Sequence, residues 1–266
     1  MLAPEILEYY ECGNEQDRLT AGWGRVEWAR TWELISRHVP AGADIVDVGG
    51  GPGGYAVPLA LAGHRVRLLD AVPLHIEQAE AAARLACAPV DAVTGDAREL
   101  PYGSGSADAA LLLGPLYHLL EVDERATALA EVRRVLRPGG VLLAATISRF
   151  TPLLDGLHSG WAAASRGRLE ATLSSGRHHN PERFPGRFTT AHFARPEEFG
   201  AEVTAAGFER LLLIAVEGPA SWMPDVDGWM DDPERREWLL RQLRRLEAEP
   251  SLLGASAHVM AVAYAP

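Results

Sequence analysis

Residues 44–54 read Asp-Ile-Val-Asp-Val-Gly-Gly-Gly-Pro-Gly-Gly. An apolar run closed by glycines has the form of a strand that turns tightly, so that its backbone can approach a bound group. Gly49-x-Gly51-x-x-Gly54, with Asp70 lying 21 residues after Gly49, formally satisfies the dinucleotide fingerprint. A nicotinamide-dependent oxidoreductase is therefore one reading of the loop. Asp47 argues against it. In Asp47-x-Gly49-x-Gly51-x-Gly53 the carboxylate stands at the mouth of the turn. There it suits an ammonium or a sulfonium and sits poorly beside a pyrophosphate. Asp70 closes a second apolar run, and Asp96, in Gly95-Asp96-Ala97, closes a third. One Asp in such a place commonly caps the next helix. Three of them beside a glycine turn, all at carboxyl ends of strands, mark a ligand site.

The elements that carry these residues are legible in the periodicity. From Asp44 short apolar runs alternate with amphipathic stretches, which indicates βαβ units and a parallel sheet. Strands are expected at 44–48, 65–69, 90–94, 107–113, 141–147, 208–216 and 256–264. Helices are expected at 55–62, 74–86, 123–136, 160–173, 196–206 and 232–247. Pro138-Gly139-Gly140 is a stop signal before the fifth strand, and Asp232 with Pro233 caps and opens the last helix. Before Pro40 two helical stripes appear, one with Ile6, Leu7 and Tyr10 and one from Val26 to Ile35, with Gly22 and Gly24 between them. Trp23, Trp28 and Trp32 on this segment read first as core.

With 266 residues the chain suits one generous α/β domain or one domain with a sizeable insertion. All 25 basic residues are Arg. Without Lys there is no Schiff-base chemistry and no P-loop lysine. A net charge of −11 repels polyanions, so no nucleic-acid partner is expected. Cys12 and Cys87 make no disulfide framework, the N-terminus lacks a signal-peptide layout, and no apolar run approaches ~18 residues. A cytoplasmic protein with no membrane partner is the expectation.

Together, Asp47, the glycine turn, Asp70 and Asp96 resemble the class I S-adenosylmethionine-dependent methyltransferases, small-molecule branch, actinobacterial type. The resemblance runs motif by motif from about Asp44 to Ile147, and by layout through the last two strands. It implies S-adenosyl-L-methionine as cofactor, with Gly49, Gly51 and Gly53 giving the methionine part its backbone approach. It also implies that Asp70, beside Ala71, accepts the ribose hydroxyls and that Asp96, beside Ala97, meets the adenine amino group. Leu113 and Gly114 would line the methionyl side. In this family an N-terminal helix commonly closes over the cofactor, which singles out Tyr10 and Arg18, the latter as partner for the methionine carboxylate. The fold implied is α/β: a Rossmann-like seven-stranded, mostly parallel sheet with helices on both faces, an antiparallel last strand, N-terminal helices and a helical lid insertion. Its parts are an N-terminal helical cap (1–40), the S-adenosylmethionine-binding core (41–148), the lid (149–195) and the C-terminal part of the core sheet (196–266) with a helical insertion at 218–250.

Gly114-Pro115-Leu116-Tyr117-His118 follows the fourth strand, a stretch that in this family faces the methyl group. Tyr117 and His118 are accordingly the candidate catalytic residues, with a neutral imidazole available to take the acceptor's proton. The bland alternative is that His118 bonds to backbone. The 149–195 segment carries seven Arg (149, 166, 168, 177, 183, 187, 195) against Asp155, Glu170 and Glu182, and four Phe (150, 184, 188, 193). It reads as a lid for an anionic or carboxylate-bearing acceptor, with Arg149, His178, His179 and His192 as substrate contacts. In the bland alternative these Arg are a solvated face and the Phe hold the insertion together. No metal is expected, because the His cluster lacks partners at ligand spacing and Asp225-x-Asp227-Gly228 lacks the closing Glu of a calcium loop. The expectation is a methyltransferase acting on a small molecule, as a monomer or a homodimer. The oxidoreductase and a non-catalytic cofactor-binding regulator are the alternatives.

Overall fold

In the computed structural model, which describes residues 3–180 and 187–266, the strands form where β-branched, leucine and alanine residues gather in short apolar runs. They are β1 (Asp44–Val48), β2 (Arg65–Asp70), β3 (Val90–Thr94), β4 (Ala107–Leu112), β5 (Leu136–Ile147), β6 (Arg177–His178), β7 (Ala191–His192), β8 (Glu209–Ala215) and β9 (His258–Tyr264). Seven of them make one sheet in the order β3-β2-β1-β4-β5-β9-β8. β1 to β5 pair in parallel, while β9 enters antiparallel between β5 and β8. The last strand therefore starts at the edge where the parallel strands end. β6 and β7 form a separate two-stranded hairpin inside the 149–195 segment.

The helices are α1 (Pro4–Glu11), α2 (Trp23–His38), α3 (Ala56–Leu61), α4 (Pro73–Ala86), α5 (Val122–Val135), α6 (Thr151–His158), α7 (Arg166–Ser175), α8 (Pro196–Ala205), α9 (Val226–Asp231) and α10 (Pro233–Leu246). Alternate strand residues face two cores, as burial on both sides of a parallel sheet requires. Val46, Val48, Ala110 and Leu112 meet α5 and α8 through Leu129, Val132, Phe199 and Val203. Ile45, Leu68 and Leu111 meet α2, α3 and α4 through Leu34, Ile35, Leu59 and Ile76. Asp232 caps α10, accepting the N–H groups of Glu234 and Arg235 at 2.9 and 3.0 Å. Such a cap contributes about 1 kcal/mol.

Three expectations change in detail. The fifth strand begins at Leu136, not Val141: Leu136 is already extended and pairs with Ala107, so Pro138-Gly139-Gly140 lies within the strand. The register shifts between Ala107 and Ala109 to absorb it, so the glycines form an irregularity and not a loop. The helix expected at 160–173 divides into a 3₁₀ turn at Ala162–Ser165 and α7, and α6 precedes it unforeseen. A 3₁₀ turn at Asn14–Thr20 separates α1 from α2, and Gly24 lies inside α2, where a side chain would collide with the Arg18 carbonyl.

The inserted segment docks on the sheet edge through Phe193, Ala191 and Phe188, which pack with Tyr117 and Ile147. Arg183, Phe184 and Glu182 lie outside the described residues. Among the described residues, no helix is long and apolar enough to cross a membrane.

Candidate active site

The turn after β1 is shaped by close approaches. Gly49 has φ +72°, donates its N–H to the Leu69 carbonyl at 2.6 Å, and a side chain there would strike the Pro115 ring. Only glycine takes that backbone without strain. Gly51, at φ +55°, donates its N–H to Asp70 Oδ2 at 2.8 Å, tying the turn to the end of β2.

Along this edge runs a cavity of about 570 Å³. Asp96, Ala97, Asp70 and Ala71 lie at one end, and Gly49, Asp47, Leu113 and Gly114 in the middle. Ala145, His258 and Met260, on β5 and β9, and Val216, just past β8, line the other end. Tyr10, Arg18, Glu27 and Trp28 cover it from the N-terminal segment. Gly53, named with the turn, is absent from this wall; it has φ +87° and packs against Ala79 and Val57.

The three acids meet different environments. Asp47 is 1% exposed, its Oδ2 has no partner, and burial together with the Asp70 charge pushes its pKa up to about 7. A buried, unpaired carboxylate costs several kcal/mol, and a cationic ligand would relieve that cost. Asp70 accepts from Gly51, from the Val72 N–H at 2.9 Å and from His75 Nδ1 at 3.1 Å. With about four acceptor positions on a carboxylate, it both caps the following turn and keeps capacity for a ligand donor. Asp96 is clamped by Arg98, Nε to Oδ1 at 2.9 Å and Nη2 to Oδ2 at 2.6 Å. That guanidinium holds its carboxyl well below the usual carboxylate range.

His118 and Tyr117 sit in the 3₁₀ turn Pro115–His118 and both line the cavity. Both imidazole nitrogens are engaged: Nε2 accepts from the Tyr10 hydroxyl at 2.8 Å, and Nδ1 faces the Thr190 carbonyl at 3.4 Å. Burial pushes the ring's pKa down to about 4 and stacking on Phe188 fixes its plane, so His118 is neutral and clasps α1 to the inserted segment. The Tyr117 phenol is buried and its pKa is raised by that burial. Arg18 reaches the cavity, but its guanidinium is bound to Glu15 at 2.6 Å and to both oxygens of Glu27 at 2.5 and 3.0 Å.

The four expected substrate contacts are not in this cavity's wall. Arg149 is buried, bonding the Phe193 carbonyl at 3.2 Å and Glu198 at 2.5 Å. His178 stacks on Phe193 and faces the Phe188 carbonyl at 3.3 Å. His179 Nδ1 lies 3.4 Å from the Thr190 hydroxyl, and His192 belongs to the β6–β7 hairpin. The segment's charge and aromatic content instead tie it to a neighbouring helix cap and to itself. Arg177 pairs with Glu121, Arg187 lies over the Trp161 ring at 4.5 Å and Arg195 over Phe150 at 5.3 Å.

A group unforeseen from the sequence closes the other end of the cavity. Glu27, Glu217 and His258 bring ligand atoms within 4.8 Å of one another, with Arg18 across Glu27. A His and a Glu beside otherwise apolar strands β8 and β9 were the available signal. Only the antiparallel entry of β9 brings them to α2.

Comparison with known proteins agrees with the geometry. A family model described as a methyltransferase domain matches residues 45–140. The chain is similar to the ubiquinone/menaquinone biosynthesis C-methyltransferase UbiE of Rubrivivax gelatinosus, 30% identical over 172 residues, 64% of each chain. The alignment thus spans just under two-thirds of that relative. A Methylobacterium ubiquinone biosynthesis O-methyltransferase is 35% identical over 116 residues, 41% of this chain and 43% of that protein. Among solved structures, a Thermotoga maritima S-adenosylmethionine-dependent methyltransferase, described as a possible histamine N-methyltransferase, superposes with TM-score 0.59 at 19% identity, over 98% of this chain and 99% of that one. Over residues 45–140 the chain is thus similar to a methyltransferase domain, and its seven-stranded sheet has the fold of the solved S-adenosylmethionine-dependent methyltransferase on which it superposes.

Proposed function

We propose that this chain moves a methyl group from S-adenosylmethionine to a small molecule. The observation that carries the reading is the unpartnered buried oxygen of Asp47 beside the Gly49–Gly51 turn and the Asp70 carboxylate. A ligand with adjacent cationic and hydroxyl groups satisfies that set; a dinucleotide pyrophosphate would bring negative charge to it. Asp70 would hold the ribose, the glycine turn the methionyl chain, and the rim at Asp96 and Ala97 the adenine. When bound, the donor supplies a methyl group already activated by its sulfonium. The chain's own residues then align the acceptor and exclude water.

The acceptor end has apolar walls from Trp28, Tyr55, Val216 and Met260. Acids in the wall (Glu15, Glu27, Asp47, Asp70, Asp96, Glu121 and Glu124) outnumber its cations, Arg18 and Arg98, and both cations are ion-paired. That balance favours a neutral acceptor with an apolar body over the carboxylate-bearing one expected from the arginine-rich segment. It also favours a structural part for His118, whose ring nitrogens are both engaged.

Calorimetry with S-adenosylhomocysteine and with NADH tests the reading. The chain is expected to bind the first and ignore the second. Asp70→Ala is expected to weaken binding roughly 10- to 150-fold, the equivalent of one hydrogen bond to a charged group. Retention of NADH with no affinity for the nucleoside would restore the oxidoreductase. Binding without methyl transfer to any small molecule in a lysate would favour a non-catalytic regulator.

A further inference from the structure

β9 runs antiparallel to β5, so its first residue, His258, pairs with Ile147 and stands where the parallel strands end. Its ring lines the cavity at the end remote from Asp96. Nδ1 bonds Glu217 Oε1 at 2.6 Å. Glu217 is fully buried, and its other oxygen takes the His258 N–H at 2.9 Å and the Ser256 hydroxyl at 3.0 Å. Three donors thus fix the carboxylate, and the carboxylate fixes the tautomer: Nδ1 carries hydrogen and Nε2 a lone pair. Nε2 has no partner among the described residues.

The other groups facing the ring are Glu27, 3.8 Å from Nδ1, Arg18 beyond it, and the Trp23 ring at 5.7 Å. Their spacing would also admit a metal ion, but Arg18 already engages both oxygens of Glu27, and both oxygens of Glu217 already accept hydrogen bonds from this chain's own donors.

We propose that His258, oriented by Glu217, is the base that takes the proton of the methyl acceptor. The inference rests on the methyltransferase reading of the cavity. As the acceptor's heteroatom bonds to the methyl carbon, its bond to hydrogen breaks and the proton passes to Nε2. The carbon–sulfur electron pair leaves with the thioether product. Glu217 holds the resulting imidazolium and is a positioning residue, since it acts through the ring.

The pH dependence has a definite sign. Burial disfavours the charged ring, but Glu27 and Glu217 outweigh it and raise its pKa above the ordinary 6.5. A base must be neutral, so transfer rises as pH climbs through that raised value. Glu217→Gln removes one carboxylate and moves the rise to lower pH, while the plateau falls because the tautomer is no longer enforced.

The test has two independent arms. Imidazole ¹⁵N spectra of the full chain at high pH, with S-adenosylhomocysteine present, should show His258 protonated on Nδ1 and bare on Nε2. In Glu217→Gln the two tautomers should mix. Labelled-methyl transfer to a phenol and an aniline should fall 10²- to 10⁴-fold in His258→Gln, while S-adenosylhomocysteine affinity stays within ~3-fold. A hydrogen found on Nε2, or a His258→Gln protein with wild-type rate and pH profile, overturns the proposal. If no probe acceptor is turned over, the tautomer decides alone. Loss of nucleoside binding in the unmodified chain would instead refute the methyltransferase reading, and the spectra would still report on the dyad.

Discussion

Replacing Asp47 by Asn should stabilise the ligand-free protein and weaken its grip on the cofactor. Asp47 is buried with one oxygen unpartnered, and its pKa rises from an ordinary 3.8 to about 7. At 1.36 kcal/mol per pH unit, that gap disfavours the folded, ionised form by on the order of 4 kcal/mol. The folded pKa lies above the unfolded one, so the penalty is absent below about pH 4, grows as the unfolded chain ionises first, and is complete above about pH 7. The substitution Asp47→Asn keeps the side chain's size and removes the charge. Urea unfolding at pH 4.5 and pH 8 checks this. The variant should gain a few kcal/mol over the parent at pH 8 and little at pH 4.5. Calorimetry at pH 8 should show its affinity for S-adenosylhomocysteine reduced, because the ligand's ammonium loses its anionic partner. A variant less stable at pH 8, with undiminished affinity, would refute the assignment of Asp47 as an ionised site residue kept at a cost in stability.

Two further outcomes separate attachment from chemistry. His118→Phe should leave any pH profile between 5 and 8 unaltered, since His118 is already neutral with a pKa of about 4, yet should raise amide exchange in α1 and around Thr190, whose contacts it makes. Arg149→Gln should lower thermal stability by roughly 1–3 kcal/mol, through the loss of its bonds to Phe193 and Glu198, and leave nucleoside binding and transfer within about twofold. A large loss of transfer with unchanged stability would return Arg149 to the substrate site.

The sheet was readable because most of its strands are short, nearly continuous apolar runs, as burial on both faces of a parallel sheet requires, bounded by acids, glycines or turn residues. Such signals are local, and β1 and β3 have the expected ends. The acidic edge of the cavity was legible for the same reason. Asp47, Asp70 and Asp96 each lie within a few residues of a strand terminus, and parallel strands deliver their ends to one edge. The arginine-rich segment was harder to read. Composition marks Arg149 and His178 as polar and basic, but cannot tell whether each turns to a cavity or to a carboxylate and carbonyl on a neighbouring element.

The sequence by itself determined the glycine turn, the carboxylates at its rim and the alternating order that makes one edge of the sheet a binding edge. All of these follow from contacts between residues close in the chain. Tertiary structure alone decided which charges meet. The reversal of β9 sets His258 beside Glu217, 41 positions away, and near Glu27 on α2, while the clasp of Tyr10 on His118 spans 108 positions. Whether a histidine there keeps a free nitrogen depends on which distant acceptor reaches it first, and no local pattern encodes that.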